Sequence, residues 1–191
     1  MDGSLTTIEK STLLRVARNA IENQIHRKPL ERFDIDGLTP NLSSPGASFV
    51  TLNTIPDNHL RGCIGTLEAY QSLILDVQEH AIAAAFDDYR FSPVRVSELP
   101  LIRIEVSRLT KPILLIYDGT EDLLRKLRPG IDGVILKNGF QHATFLPQVW
   151  EKIESKESFL RQLCLKMGAD GDLWKRKQLQ VFTYQVEEFH E

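Results

Sequence analysis

The sequence predicts an α+β fold, with antiparallel sheets and flanking helices. Three observations lead there. Stretches of helical period alternate with stretches of period two. The period-two stretches come in pairs joined by turns, which is the connectivity of antiparallel strands rather than of parallel crossovers. A strand–strand–helix–strand order also occurs twice: residues 48–53 align with 132–137 at an offset of 84, and 102–106 align with 180–184 at an offset of 78. Such a duplication implies two lobes, near residues 1–110 and 111–191, each with too little core to fold alone. A single domain of 191 residues follows, with the groove between lobes as its natural ligand site.

Taken in order, residues 6–26 form the first helix. Ile8, Leu14, Ala17, Ile21 and Ile25 recur at helical spacing, and Thr6 with Glu9 makes a capping box. Residues 29–45, rich in Pro, Gly, Asn and Ser, read as an irregular connection. A strand at 48–54, a turn at 55–59 and a return strand at 60–65 follow. Ser72 caps a helix in which Leu73, Val77, Ala81 and Ala84 share one stripe. Residues 101–109 alternate, with Ile102, Ile104 and Val106 on one face and Arg103, Glu105 and Ser107 on the other. Thr120 caps a short helix carrying Leu123, Leu124 and Leu127, which Arg128-Pro129-Gly130 ends. Residues 134–137 and 140–146 flank Asn138-Gly139, a strong hairpin signal. Ser155 opens a helix that runs through Met167 to a left-handed Gly168, and 178–184 is the final strand.

Charge and composition exclude several function classes. Lys and Arg total 23 against 26 Asp and Glu, a net −3, which lacks the basic field a dedicated nucleic-acid binder needs. The longest apolar runs, 81–86 and 113–117, fall far short of the ~20 residues of a membrane span. The opening residues have no basic stretch followed by an apolar one, so a cytoplasmic location is expected. Cys63 and Cys164 are too few for a disulfide scaffold and cannot alone hold a four-iron cluster. His59 and Cys63 would stand about 13 Å apart on one strand, and neither Cys-x-x-Cys nor His-Glu-x-x-His occurs, so no metal is expected. No phosphate-cradling glycine loop is present, and no cofactor is expected. Lys175-Arg176-Lys177 reads as a solvated face.

The unusual segment is Leu60-Arg61-Gly62-Cys63-Ile64-Gly65. On a regular strand Arg61 and Cys63 share a face about 6–7 Å apart, where a guanidinium favours the reactive thiolate. Cys63 is therefore the candidate nucleophile or covalent carrier, although a buried cysteine packing as a small hydrophobe fits the same residue. Gly62 and Gly65 weaken a strand, which is tolerated where another backbone or a ligand comes close, and they leave room for a reagent. In the second repeat the place of Cys63 falls near Phe145 or Leu146. Asp87 and Asp88 end the alanine-rich helix against its dipole and need Arg90 or Arg61 as a partner. Arg61, Gly62, Gly65, Asp88 and Arg90 are the candidate ligand-binding residues, with His142 of the later hairpin as a further one; Cys164 reads as core.

These strings resemble those of the AMMECR domain family, whose bacterial and archaeal members are called AmmeMemoRadiSam system protein A. The resemblance runs from Phe49-Val50-Thr51-Leu52 and Leu60–Gly65 through Asp88-Tyr89-Arg90-Phe91-Ser92-Pro93-Val94, Ile104-Glu105-Val106-Ser107 and Leu127-Arg128-Pro129-Gly130-Ile131-Asp132-Gly133. It continues through Leu146-Pro147-Gln148-Val149 and the 159–164 helix toward Trp174, covering about residues 8–190. Tyr89 departs from the proline usual between Asp and Arg, and Trp150 stands where no aromatic is expected. The resemblance implies two unequal, interlocked lobes with the Leu60–Gly65 strand near their junction. It also implies a Memo-type protein and a radical S-adenosylmethionine protein as partners, and it carries no reaction with it.

Two readings stay open. One is an accessory, partner-binding module; the other is an enzyme whose cleft binds a small anionic or polar ligand and uses Cys63. The first is favoured because no histidine is placed in sequence to serve the thiol.

Overall fold

The computed structural model describes residues 3–153 and 155–191. The chain forms two compact units: residues up to Leu109 together with Glu187–Glu191, and Thr110–Val186. Among the described residues no helix is long and apolar enough to cross a membrane.

The first unit begins with α1 (Thr7–Ile25), whose capping box forms as expected, Thr6 Oγ1 accepting from the Glu9 N–H and Glu9 accepting from the Thr6 N–H. Then come α2 (Pro40–Ser43), β1 (Pro45–Thr54), β2 (Leu60–Gly65), β3 (Gln71–Ser72), α3 (Leu73–Phe86), a 3-10 turn at Val96–Leu101 and β4 (Ile102–Leu109). The second unit holds β5 (Ile113–Leu114), α4 (Gly119–Lys126), β6 (Gly133–Asn138), β7 (Gln141–Phe145), α5 (Lys156–Lys166), α6 (Leu173–Arg176) and β8 (Gln180–Tyr184). The last strand, β9 (Val186–His190), returns to the first unit.

In the first unit α1 and α3 cover one face of the sheet, burying Leu13, Val16, Ala17 and Ile21 with Leu73, Val77, Ala81 and Ala84 against Val50, Leu52, Ile104 and Val106. Ile8, expected on the apolar face of α1, is 79% exposed. It lies five residues before Leu13, which at 3.6 residues per turn rotates it about 140° away from the buried face. Ser72 precedes α3 without capping it, and its buried hydroxyl has no partner among the described residues. The core of the second unit gathers Leu123, Leu127, Val134, Leu136, Phe159, Leu163, Cys164 and Val181. Trp150 belongs to it: its ring stacks on Phe159 with centroids 3.5 Å apart, and its Nε1–H donates to the Asp132 carbonyl at 2.7 Å. A buried indole needs such an acceptor, and Asp132 supplies it.

Both sheets are antiparallel and share one plan. The first runs β2-β1-β4-β9 and the second, read from the other end, β7-β6-β8-β5. Leu52 pairs with Ile104 and Val50 with Val106, while Leu136 pairs with Val181 and Val134 with Thr183. The third strands therefore correspond at an offset of 77, not 78; a one-residue slip would have turned every side chain to the wrong face. Cys63 pairs with Thr51 as Thr144 pairs with Ile135, so the counterpart of Cys63 is Thr144, rather than Phe145 or Leu146. The difference lies in the turns. Asn138 already pairs with Gln141, leaving Gly139 (φ 60°) and Phe140 as the two-residue loop instead of Asn138-Gly139.

The fourth strands are exchanged. β5 follows β4 in the chain yet pairs with β8, and β9 follows β8 yet lies beside β4. The segment from β9 onward also brings Glu187 to Lys10 (2.7 Å) and the Leu5 N–H (3.1 Å), and Glu191 to Arg18 and the Ile104 N–H (3.1 Å). A fragment ending at Leu109 should therefore melt without cooperativity, and adding the 186–191 segment as a tethered strand should restore the transition, as followed by circular dichroism. A stable proteolytic fragment ending near Leu127, melting at the temperature of the full chain, would contradict this.

Candidate functional site

β2 is the outer strand of its sheet, and three features set its chemistry. The first is a bulge. The β1–β2 register slips between Leu52 and Asn53, pairing Leu52 with Gly62 and Asn53 with Leu60, so Arg61 has no cross-strand partner. A bulge re-aims the extra side chain. Arg61 turns to Glu98, with Nε donating to Oε1 at 2.8 Å and Nη2 to Oε2 at 3.2 Å, and its Nη2 also donates to the Ser92 carbonyl at 2.8 Å. Glu98 accepts the Arg95 N–H at 2.8 Å as well, and the Arg61 guanidinium pulls its carboxyl below the usual range despite burial. The expected Arg61–thiol pairing is thus replaced by an ion pair that anchors the 92–98 segment.

The second feature closes the strand edge at Cys63. Asp88, with a side chain 2% exposed, accepts the Cys63 N–H at 2.9 Å, while Arg90 Nη2 donates to the Cys63 carbonyl at 3.2 Å. The two side chains bind each other as a fork, Nε to Oδ1 at 2.9 Å and Nη2 to Oδ2 at 2.7 Å. Together they give Cys63 the donor and acceptor that a neighbouring strand would give. The Arg90 guanidinium holds the Asp88 carboxyl far below the usual carboxylate range, against the opposing effect of burial, and the Cys63 and Arg90 N–H groups add to it. Asp88–Phe91 is a hydrogen-bonded turn (Phe91 N–H to Asp88 carbonyl, 3.0 Å) with Tyr89 at its second position, 94% exposed. That position suits proline, so tyrosine there preserves the turn. Phe91 lies under both guanidinium groups, 5.9 Å from Arg61 and 5.5 Å from Arg90.

The third feature is the space around the thiol. Cys63 is half-buried on the face away from α3, and the Thr51 hydroxyl lies 3.3 Å from its sulfur. Gly62 and Gly65 do not leave room for a reagent. A Cβ on Gly62 would sit 2.1 Å from the Ala84 carbonyl oxygen, and one on Gly65 would sit 2.4 Å from the Phe49 ring. Glycine at 62 lets the alanine face of α3 press onto β2. Cys164 is fully buried, and burial raises its thiol pKa.

The structure thus brings together Arg61, Gly62, Cys63, Gly65, Asp88 and Arg90, all in the first unit. His142 lies in the second unit, exposed on β7 opposite Lys137. Sequence reasoning missed Thr51, Phe91, Ser92 and Glu98. Thr51 could have been found from the pairing of two adjacent strands, whereas Glu98 carries no local signal. Among the described residues no three His, Cys, Asp or Glu side chains converge as a metal site.

Residues 14–189 match the AMMECR1 family. A protein of Methanocaldococcus jannaschii is 36% identical over 98% of this chain and 92% of its own length, and one of Thermococcus onnurineus is 39% identical over 94% and 88%. The crystal structure of an uncharacterized protein from Pyrococcus horikoshii, 35% identical, superposes with a TM-score of 0.73 over 95% of this chain and 91% of that one.

Four outcomes follow from this geometry. Gly62→Ala should cost about 2 kcal/mol or more in urea unfolding, because backbone rather than a flexible side chain blocks the Cβ. Tyr89→Pro should instead stabilise by about 0.4–1 kcal/mol. The Asp88 clamp contributes stability in full above the unfolded aspartate pKa of about 4, and loses it as pH falls through the depressed folded value. Asp88→Asn should therefore lower the melting temperature at pH 7 and flatten its decline between about pH 4 and pH 2, leaving the profile above pH 6 parallel to wild type. In the native protein a small thiol reagent should label Cys63 well before Cys164, as located by peptide mass analysis; equal rates would mean the core opens as readily as the surface.

Proposed function

The chain belongs to the AMMECR1 family, and from that premise we propose that it is an accessory, partner-binding component working with Memo-type and radical S-adenosylmethionine proteins. The observation that carries this reading is that the charged side chains near Cys63 pair with one another and with backbone. Arg61 is held by Glu98 and Ser92, and Asp88 and Arg90 are held by each other and by the Cys63 backbone. Among the described residues the Thr51 hydroxyl alone is in hydrogen-bond range of the sulfur, and no histidine or carboxylate is. Nucleophilic catalysis by a thiol requires such a group within reach. What the network does build is a cross-linked surface. Leu60, Tyr89 and Val96 stand 42%, 94% and 54% exposed around two arginines, a mixture of apolar, aromatic and guanidinium groups that suits a protein interface.

A second reading, a small-ligand cleft using Cys63 as nucleophile or covalent carrier, is favoured by one observation. Arg61 Nη1 is buried without a hydrogen-bond partner among the described residues and could bind an anionic group.

Titration calorimetry against purified Memo-type and radical S-adenosylmethionine proteins separates the two. On the partner-binding reading a complex forms, Tyr89→Asp weakens it at least about tenfold, and Cys63→Ser leaves it intact. Absence of a complex with either protein, or a turnover that Cys63→Ser abolishes, would transfer support to the enzymatic reading.

A further inference from the structure

An open cleft of about 540 Å³ lies in the first unit, lined by Arg18 and Glu22 of α1, Ile55 after β1, Leu99 before β4, Arg103 of β4 and Glu191. Its charges divide into those already used and those that are not. Arg18 is spent: it donates to the Leu99 and Ile102 carbonyls at 3.1 and 2.9 Å and forms an ion pair with Glu191. Glu191 in turn accepts the Ile104 N–H. Arg103 is different. One of its terminal nitrogens donates to Asn58 Oδ1, but it has no carboxylate partner among the described residues, and its buried Nε has no acceptor. The Glu22 carboxylate likewise has no partner among the described residues. Among the side chains of the described residues that line the cleft, Arg103 is thus left as a cation and Glu22 as an anion without an ion-pair partner, beside the aliphatic surface of Ile55, itself 48% exposed, and Leu99.

A buried donor without an acceptor is costly, and a ligand that supplies the acceptor recovers that cost. A simple anion would satisfy Arg103 and meet repulsion from Glu22; a simple amine would do the reverse. We propose that this cleft binds a zwitterionic ligand with an apolar body, an aliphatic α-amino acid being the smallest such molecule. Its carboxylate pairs with Arg103, its ammonium with Glu22, and its side chain covers Ile55 and Leu99. None of the residues lining the cleft belongs to the Cys63 cluster.

The test is an amide NMR titration of the full chain with L-leucine, with isocaproate, which lacks the amino group, and with isoamylamine, which lacks the carboxylate. Leucine should shift the amides of Glu22, Ile55 and Arg103 saturably, with a dissociation constant in the millimolar range that suits an open site. Each truncated analogue should bind at least about tenfold more weakly. Glu22→Gln should bring leucine down to the affinity of isocaproate, and Arg103→Gln should bring it down to that of isoamylamine, with the remaining spectrum unchanged. The proposal is overturned if leucine produces no saturable shift, if the shifts fall outside the cleft, or if isocaproate binds wild type as well as leucine does.

Discussion

A strand at the edge of a sheet presents backbone donors and acceptors that must be satisfied, and in the first unit that demand falls on Cys63. Among the described residues the sheet offers no strand beyond β2. Instead a loop two residues past α3 places Asp88 against the Cys63 N–H and Arg90 against its carbonyl. Covering an edge with side chains also blocks unwanted strand pairing. Much else depends on this closure. It fixes the exit of α3, holds the turn that exposes Tyr89, and brings Phe91 beneath the two guanidinium groups.

The bulge at Arg61 complements the clamp. A regular strand would have left the guanidinium on the face of Cys63; the extra residue sends it to Glu98 and Ser92, so the 92–98 segment is tied to β2 by an ion pair and a backbone acceptor. Arg61 and Arg90 thereby secure two successive stretches of one loop to one strand. Glycine at 62 completes the arrangement from the other side, since only a residue without Cβ admits the α3 backbone. The segment that is chemically most suggestive in sequence is, in three dimensions, braced from both sides.

Local pattern made much of the fold legible. The Thr6–Glu9 box and the stripe on α3 follow from neighbours a few residues apart and are found as read, while the alternation in β4 holds over Ile102–Val106 and gives way to continuous burial at Ser107, Arg108 and Leu109. The strand–strand–helix–strand repeat was visible for the same reason. Its register was not, because a one-residue offset rests on turn geometry, and the sequence disguises Gly139-Phe140 behind an Asn138-Gly139 signal. The strands β5 and β9 and the exchange between them left no periodic mark: β5 is two residues long, and in β9 the apolar residues Val186 and Phe189 stand three apart and do not alternate. At the candidate site the residue types were legible but their directions were not. No local rule places a bulge at Arg61, and none links it to Glu98, thirty-seven residues later.

The exchange of fourth strands also has a temporal side. A ribosome releases the chain from its beginning, so β1, β2, α3 and β4 emerge long before β9, with the whole of residues 110–185 between them. Throughout that interval the outer edge of β4 stands open, and Lys10 and Arg18 lack the carboxylates that will later engage them. The first sheet is thus finished last: its β4 edge stays unpaired until β9 itself has emerged.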